Sequence, residues 1–134
     1  MDFGFSSGYI STVQGTLSLN STTNCFVNTN PPIYAAGSTL VYATGGTYGR
    51  SVEWSGTSGA GYPSNVTINN GSGLDLGNGG TGSARQMSGN LTVNGGLYMD
   101  FGSNDMTQSL TVLGNLVIGA SGQLSLSDVL GVIS

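Results

Sequence analysis

Asp75 and Asp100 stand 25 residues apart in a chain with six acids (Asp2, Glu53, Asp75, Asp100, Asp105, Asp128), two arginines (Arg50, Arg85), no lysine and no histidine. If that spacing is one turn of a repeat, the two carboxylates share an outward column about 5 Å apart, and Ser125 continues it. Such a pair is the start of a Ca²⁺ site, although calcium takes roughly six to eight oxygens. It also matches the ~5 Å carboxylate separation of a retaining glycosidase. Two exposed acids on a solvated face account for the spacing without any chemistry, and that plainer reading is preferred here.

The remaining inventory excludes more than it offers. A Ser–His–Asp arrangement needs a histidine, and a thiol nucleophile needs a base beside it, so Cys25 reads as an inert thiol. With one cysteine there is neither an intrachain disulfide nor a zinc cluster. A formal charge of −4 leaves no basic patch for nucleic acid. Arg85 falls on a column of inward residues, where an unpaired guanidinium is costly. Pairing with Glu53 would relieve that, and a substrate carboxylate is the sharper alternative. Arg50 is expected at the surface. Tyr48, Trp54 and Tyr62 cluster around a loop and could form a stacking platform for a sugar ring, although buried packing is the commoner fate of aromatic residues. "GGTG" (79–82) and "TGGTYG" (44–49) have the glycine of phosphate loops but precede no helix signal.

The elements that must position these groups follow from a repeated phrase. "NVTINNGSGLDLGN" (65–78), "NLTVNGGLYMDFGS" (90–103) and "NLVIGASGQLSLSD" (115–128) share one 25-residue period. They align Asn65/Asn90/Asn115, Val66/Leu91/Leu116 and Ile68/Val93/Ile118, then Leu74/Met99/Leu124 and Leu76/Phe101/Leu126. Within each phrase apolar residues alternate, the mark of strands with one buried face. Glycine and asparagine separate the strands because tight corners need their backbone freedom. A third apolar pair, Leu110 and Val112, answers Arg85 and Met87, so each repeat reads as three short strands. Earlier, Leu17/Leu19 and Leu40/Tyr42 supply the Leu74/Leu76 column, and Val52 with Trp54 supplies a third strand. A loop insertion falls at about 55–64.

A period of this length with three strands per repeat predicts a single-stranded parallel β-helix, an all-β solenoid of about five rungs of roughly 25 residues. General crossover preference makes it right-handed. Asn65, Asn90 and Asn115 would stack as a structural ladder at one corner. No run of apolar residues is long enough for a membrane helix. "MDFGFSSGYIS" carries no signal-peptide pattern, which suits a secreted protein whose leader lies elsewhere. The next third strand would begin just past Ser134, and no capping helix is evident. One domain over 1–134, a fragment of a longer solenoid, is therefore expected.

The phrases "YAAGSTLVY", "YGRSVEWS", "GAGYPSNVTI" and "LDLGNGG", followed by "GNLTV", have a further significance. The stretch 30–96 resembles segments of very large secreted proteins of Bacteroidota, and the resemblance extends from about Ser7 to Leu126. It implies exported, adhesin-like proteins built from β-solenoid stretches, with a separate C-terminal sorting domain. It implies no functional residue. The expectation is a non-enzymatic structural or adhesive segment at the cell surface, without a cofactor. It would meet matrix polysaccharide or neighbouring solenoid segments. The alternatives are a carbohydrate-binding or polysaccharide-degrading β-helix, and a unit that self-assembles through its open ends.

Overall fold

The computed structural model describes residues 8–126. Asp2, Asp128 and the chain end at Ser134, on which the missing cap was argued, lie outside the described residues. Along the chain, the first coil holds β1 (Thr12–Val13) and β2 (Thr16–Leu19), and the second β3 (Ile33–Tyr34), β4 (Thr39–Tyr42) and β5 (Thr47–Gly49). The third holds β6 (Asn65–Ile68), β7 (Gly73–Asp75) and β8 (Arg85–Met87). In the fourth, β9 (Leu91–Val93) and β10 (Gly96–Tyr98) are followed by a small hairpin of β11 (Asp100–Phe101) and β12 (Asn104–Asp105), then β13 (Leu110–Val112). The fifth holds β14 (Leu116–Ile118) and β15 (Gln123–Ser125).

These coils stack as a parallel β-solenoid of about five turns. One face is a five-stranded parallel sheet in the order β14-β9-β6-β4-β2, and a second has the order β15-β10-β7-β5. The third face is broken into β1–β3 and β8–β13 pairs. Stacking answers a problem of scale. No coil alone can shield its interior from water, so its inward residues are buried only once coils close over it above and below. Leu17, Leu40, Val66 and Leu91 form one inward column, and Leu19, Tyr42, Ile68 and Val93 the next. All are buried. Each such side chain contributes about 1.5–3 kcal/mol relative to exposure.

The register departs from the sequence reading in three places. Leu17/Leu19 and Leu40/Tyr42 belong beside Val66/Ile68, not beside Leu74/Leu76. The second coil therefore has ordinary length, and the segment around 55–64 replaces a third strand instead of adding to it. Its mouth is closed by Ser55 and Gly56 N–H groups donating to the Gly61 carbonyl at 3.0 and 2.9 Å. Val52–Trp54 is correspondingly one turn of 3₁₀ helix and not a strand.

The third departure moves the carboxylates. Leu74 pairs with Leu97 and Asp75 with Tyr98; Met99 does not oppose Leu74. The corner before β10 is residues 94–95, whereas those before β7 and β15 are 69–72 and 119–122. The strand thus begins two residues early. An alternating run "LYMDF" accepts a slip of two without turning any side chain over, so alternation alone could not fix it. Asp100 is left in the hairpin, with Asp105 as its cross-strand neighbour. Asp75 and Asp100 share no column.

Candidate functional site

Where the second coil leaves β5, the chain reads Arg50-Ser51-Val52-Glu53-Trp54-Ser55. A single 3₁₀ turn, with three residues per turn, cannot keep alternate residues outside as a strand would. It sends Glu53 and Trp54 into the solenoid, where both are fully buried. The Trp54 indole N–H donates to the Gln86 carbonyl at 2.9 Å and so ties this turn to β8 of the following coil.

Glu53 is a carboxyl group among tyrosines. Its Oε1 accepts from the Tyr42 hydroxyl at 3.1 Å, and Oε2 from the Tyr48 hydroxyl at a longer 3.5 Å. Both oxygens lie 3.1 Å from the Ser51 N–H, which donates to them. The Tyr34 hydroxyl donates to the Glu53 backbone carbonyl at 2.9 Å. Burial pushes the Glu53 carboxyl above its ordinary range, while the hydrogen bonds pull the other way. The three phenols are also raised, by burial first and by Glu53 second, so they remain donors. Phe26 stacks on Tyr48 with ring centroids 5.5 Å apart.

Both arginines are buried, and Arg50 lies beside this centre. Arg50, expected at the surface, is 3% exposed, and Arg85 is 2% exposed. Arg50 donates from Nε to the Leu76 carbonyl at 3.1 Å and from Nη1 to the Trp54 carbonyl at 3.2 Å. Further donations go to the Ser51 and Asn78 carbonyls. Asn78 returns a bond from its side-chain amide to the Arg50 carbonyl at 2.7 Å. Arg85 donates to the Ser83, Ala84 and Gly80 carbonyls at 2.7, 3.1 and 2.8 Å. The anticipated Arg85–Glu53 bond is not among these: tyrosines and a backbone amide hold Glu53, and loop carbonyls hold Arg85. An arginine on an inward column survives because it reaches back to unpaired carbonyls of the 80–84 corner.

Tyr48 and Trp54 are wholly buried and Tyr62 is half-buried, so these three form no open stacking platform. Asp75 is also buried, and its pKa is raised by burial, opposed chiefly by the Asn104 hydrogen bond. The Asn104 amide donates to its Oδ2 at 2.6 Å, and the Asn78 N–H to Oδ1 at 3.1 Å. Gly77 permits this approach, since a Cβ there would lie 2.1 Å from the Asn104 carbonyl oxygen. Asp100 instead accepts from the Ser125 hydroxyl at 2.7 Å. Among the described residues no three metal-ligating side chains come together. Cys25 is a half-buried free thiol packed against the core.

Sequence reasoning missed a shallow groove on the outer face of the β15-β10-β7-β5 sheet. Thr47, Gly73, Gly96 and Gln123 fall in one outward column. The Tyr98 ring lies over the glycines, and a Cβ on Gly96 would meet its Oη at 2.2 Å. The groove encloses about 260 Å³, edged by Thr47, Asn70, Ser121 and Gln123. Phe101, largely exposed, tilts against Tyr98 with centroids 5.6 Å apart. Gly73 and Gly96 stand 23 residues apart, off the 25-residue period, so only the shifted register aligns them. Comparison with known proteins finds no matching family model, no similar curated protein and no similar solved structure.

Proposed function

We propose that the chain is a non-enzymatic structural segment of an extracellular, surface-associated β-helix protein, acting as a stiff spacer in a stack of like coils. The observation that supports this is the ladder of like residues. Val66, Leu91 and Leu116 stack in one column and Ile68, Val93 and Ile118 in the next, so successive coils present the same apolar register to one another. No helix of the described residues is long and apolar enough to cross a membrane.

A spacer of this design is modular, and that is testable. Two extra copies of residues 90–114, inserted between Gly114 and Asn115, keep every column in register. The protein should still unfold in one transition and lengthen by ~10 Å in small-angle scattering, about 4.8 Å per coil. Loss of folding would sink the modular reading. Release of reducing ends from polysaccharides incubated with the purified chain would sink the non-enzymatic one.

The Tyr98 groove favours a second reading, recognition of a neutral sugar chain. An aromatic ring beside hydroxyl and amide groups, in a groove lined by no charged side chain, is the chemistry such a chain meets. Affinity electrophoresis through gels of neutral polysaccharide tests it. Retardation that Tyr98→Ala abolishes would establish it, and unretarded migration in every gel would remove it.

A further inference from the structure

Arg50 and Arg85, the only two bases of the chain, line a single cavity of about 290 Å³ with Ser51, Ser55, Asn78 and Ser83. From this geometry we infer a binding site for a carboxylate-bearing sugar unit, a uronate, held by its carboxylate against the two guanidinium groups. It lies apart from the Tyr98 groove and goes beyond the spacer reading.

Three features point to an anion. The hydrogen bonds of both guanidinium groups go to backbone carbonyls, which satisfy protons but do not neutralise charge. Arg50 feels Glu53 and Asp75 nearby, whereas among the described residues the charged neighbour acting on Arg85 is Arg50, which repels it. Burial, and then that repulsion, lower Arg85 to about 10, so it is still a cation at neutral pH. The buried Arg85 Nε–H, finally, has no acceptor among the described residues. A buried guanidinium is costly unless a negative charge comes to it.

Shape and lining narrow the class. Nη2 of Arg50 and Nη2 of Arg85 flank the same two-glycine step, 3.3 and 3.6 Å from where Cβ atoms would stand on Gly79 and Gly80. The glycines thus keep the mouth between the cations open. The volume is near the lower bound for small-molecule sites, roughly 300 Å³, and admits one small ring. Serine hydroxyls and the Asn78 amide suit the hydroxyls of a sugar better than an apolar acid. A planar carboxylate matches the guanidinium fork.

The test is titration calorimetry of the intact chain with sodium glucuronate, glucose and sodium sulfate, beside NMR of the arginine side chains. Glucuronate should bind and shift the Arg85 Nε–H resonance, and glucose should not bind. Sulfate should bind more weakly, because it lacks the hydroxyls. Ser83 is exposed at the rim, so Ser83→Asp places a carboxylate at the mouth without disturbing the core. It should weaken glucuronate about tenfold or more, the loss of roughly one charge-assisted contact. Arg85→Gln should abolish binding, with circular dichroism reporting whether the coil survives; if it does not, Ser83→Asp decides alone. Absence of glucuronate binding to the folded chain overturns the site. Equal or tighter sulfate binding overturns the uronate assignment, as would undiminished affinity in Ser83→Asp.

Discussion

The side-chain oxygen of Asn65 accepts the backbone N–H of Asn90, 25 residues later, at 3.0 Å, and Asn90 does the same for Asn115 at 2.9 Å. Each asparagine thus bridges to the backbone of the next coil, not to the next side-chain amide. Asn65 also reaches back, donating from Nδ2 to the Ser38 carbonyl at 3.2 Å. One residue type at one corner therefore links successive coils where the sheet hydrogen bonds give way to a turn.

Removing that bridge leaves a backbone N–H to find water at a corner. Asn65→Ala should cost about 1–2 kcal/mol, and Asn90→Ala a similar amount. Asn28→Ala, at an exposed site, should stay within about 0.5 kcal/mol. Urea unfolding of the three variants distinguishes a staple from ordinary turn residues; equal midpoints would show that the bonds add nothing.

Glu53 gives stability a pH dependence of definite sign. Its folded-state pKa is raised above the ordinary 4.5, so between those values the folded chain holds a proton that the unfolded chain has released. The contribution is fully present below about 4.5 and lost as pH rises through the folded value. Asp75, raised above 3.8, acts in the same direction. Thermal midpoints should therefore climb as pH is lowered through the folded value toward about 4.5, and Glu53→Gln should flatten the climb. A midpoint that falls over that interval would contradict the buried, tyrosine-held carboxyl.

Two leucines of one column test the stacking. Leu91→Ala empties a filled interior and should cost about 2–5 kcal/mol. Leu116→Ala, 47% exposed on the outer coil, should cost about half as much or less. Denaturant midpoints report both. Similar losses would mean that Leu116 is covered in solution, the result that self-association of coils would also give, and sedimentation at several concentrations separates the two.

Gly77→Ala should dislodge the small hairpin and leave the solenoid folded. The added Cβ meets the Asn104 carbonyl oxygen, so the Asn104–Asp75 hydrogen bond must lengthen. Amide exchange of Met106, whose N–H donates to the Met99 carbonyl at 2.8 Å, should quicken while that of Leu91 is unchanged. Unaltered exchange at both would mean that the backbone accommodates the methyl group.

The repeat, the alternation and the glycine corners were enough to determine a parallel solenoid of about five coils. Stacked coils must place like residues over like residues, and that constraint is written directly into the spacing. Val66, Leu91 and Leu116 align at 25 residues both in the sequence and in space. The register of β10 was not determined, because period-two alternation tolerates a slip of two and corner length is settled only when the neighbouring coils close on it. That slip separated Asp75 from Asp100 and brought Tyr98 over Gly73 and Gly96. The fate of the arginines was equally hidden. A sequence shows that Arg50 and Arg85 are the only bases, but their burial depends on which corner carbonyls lack partners and lie within a guanidinium's reach. Tertiary packing alone decided that, and with it the cavity that both cations line.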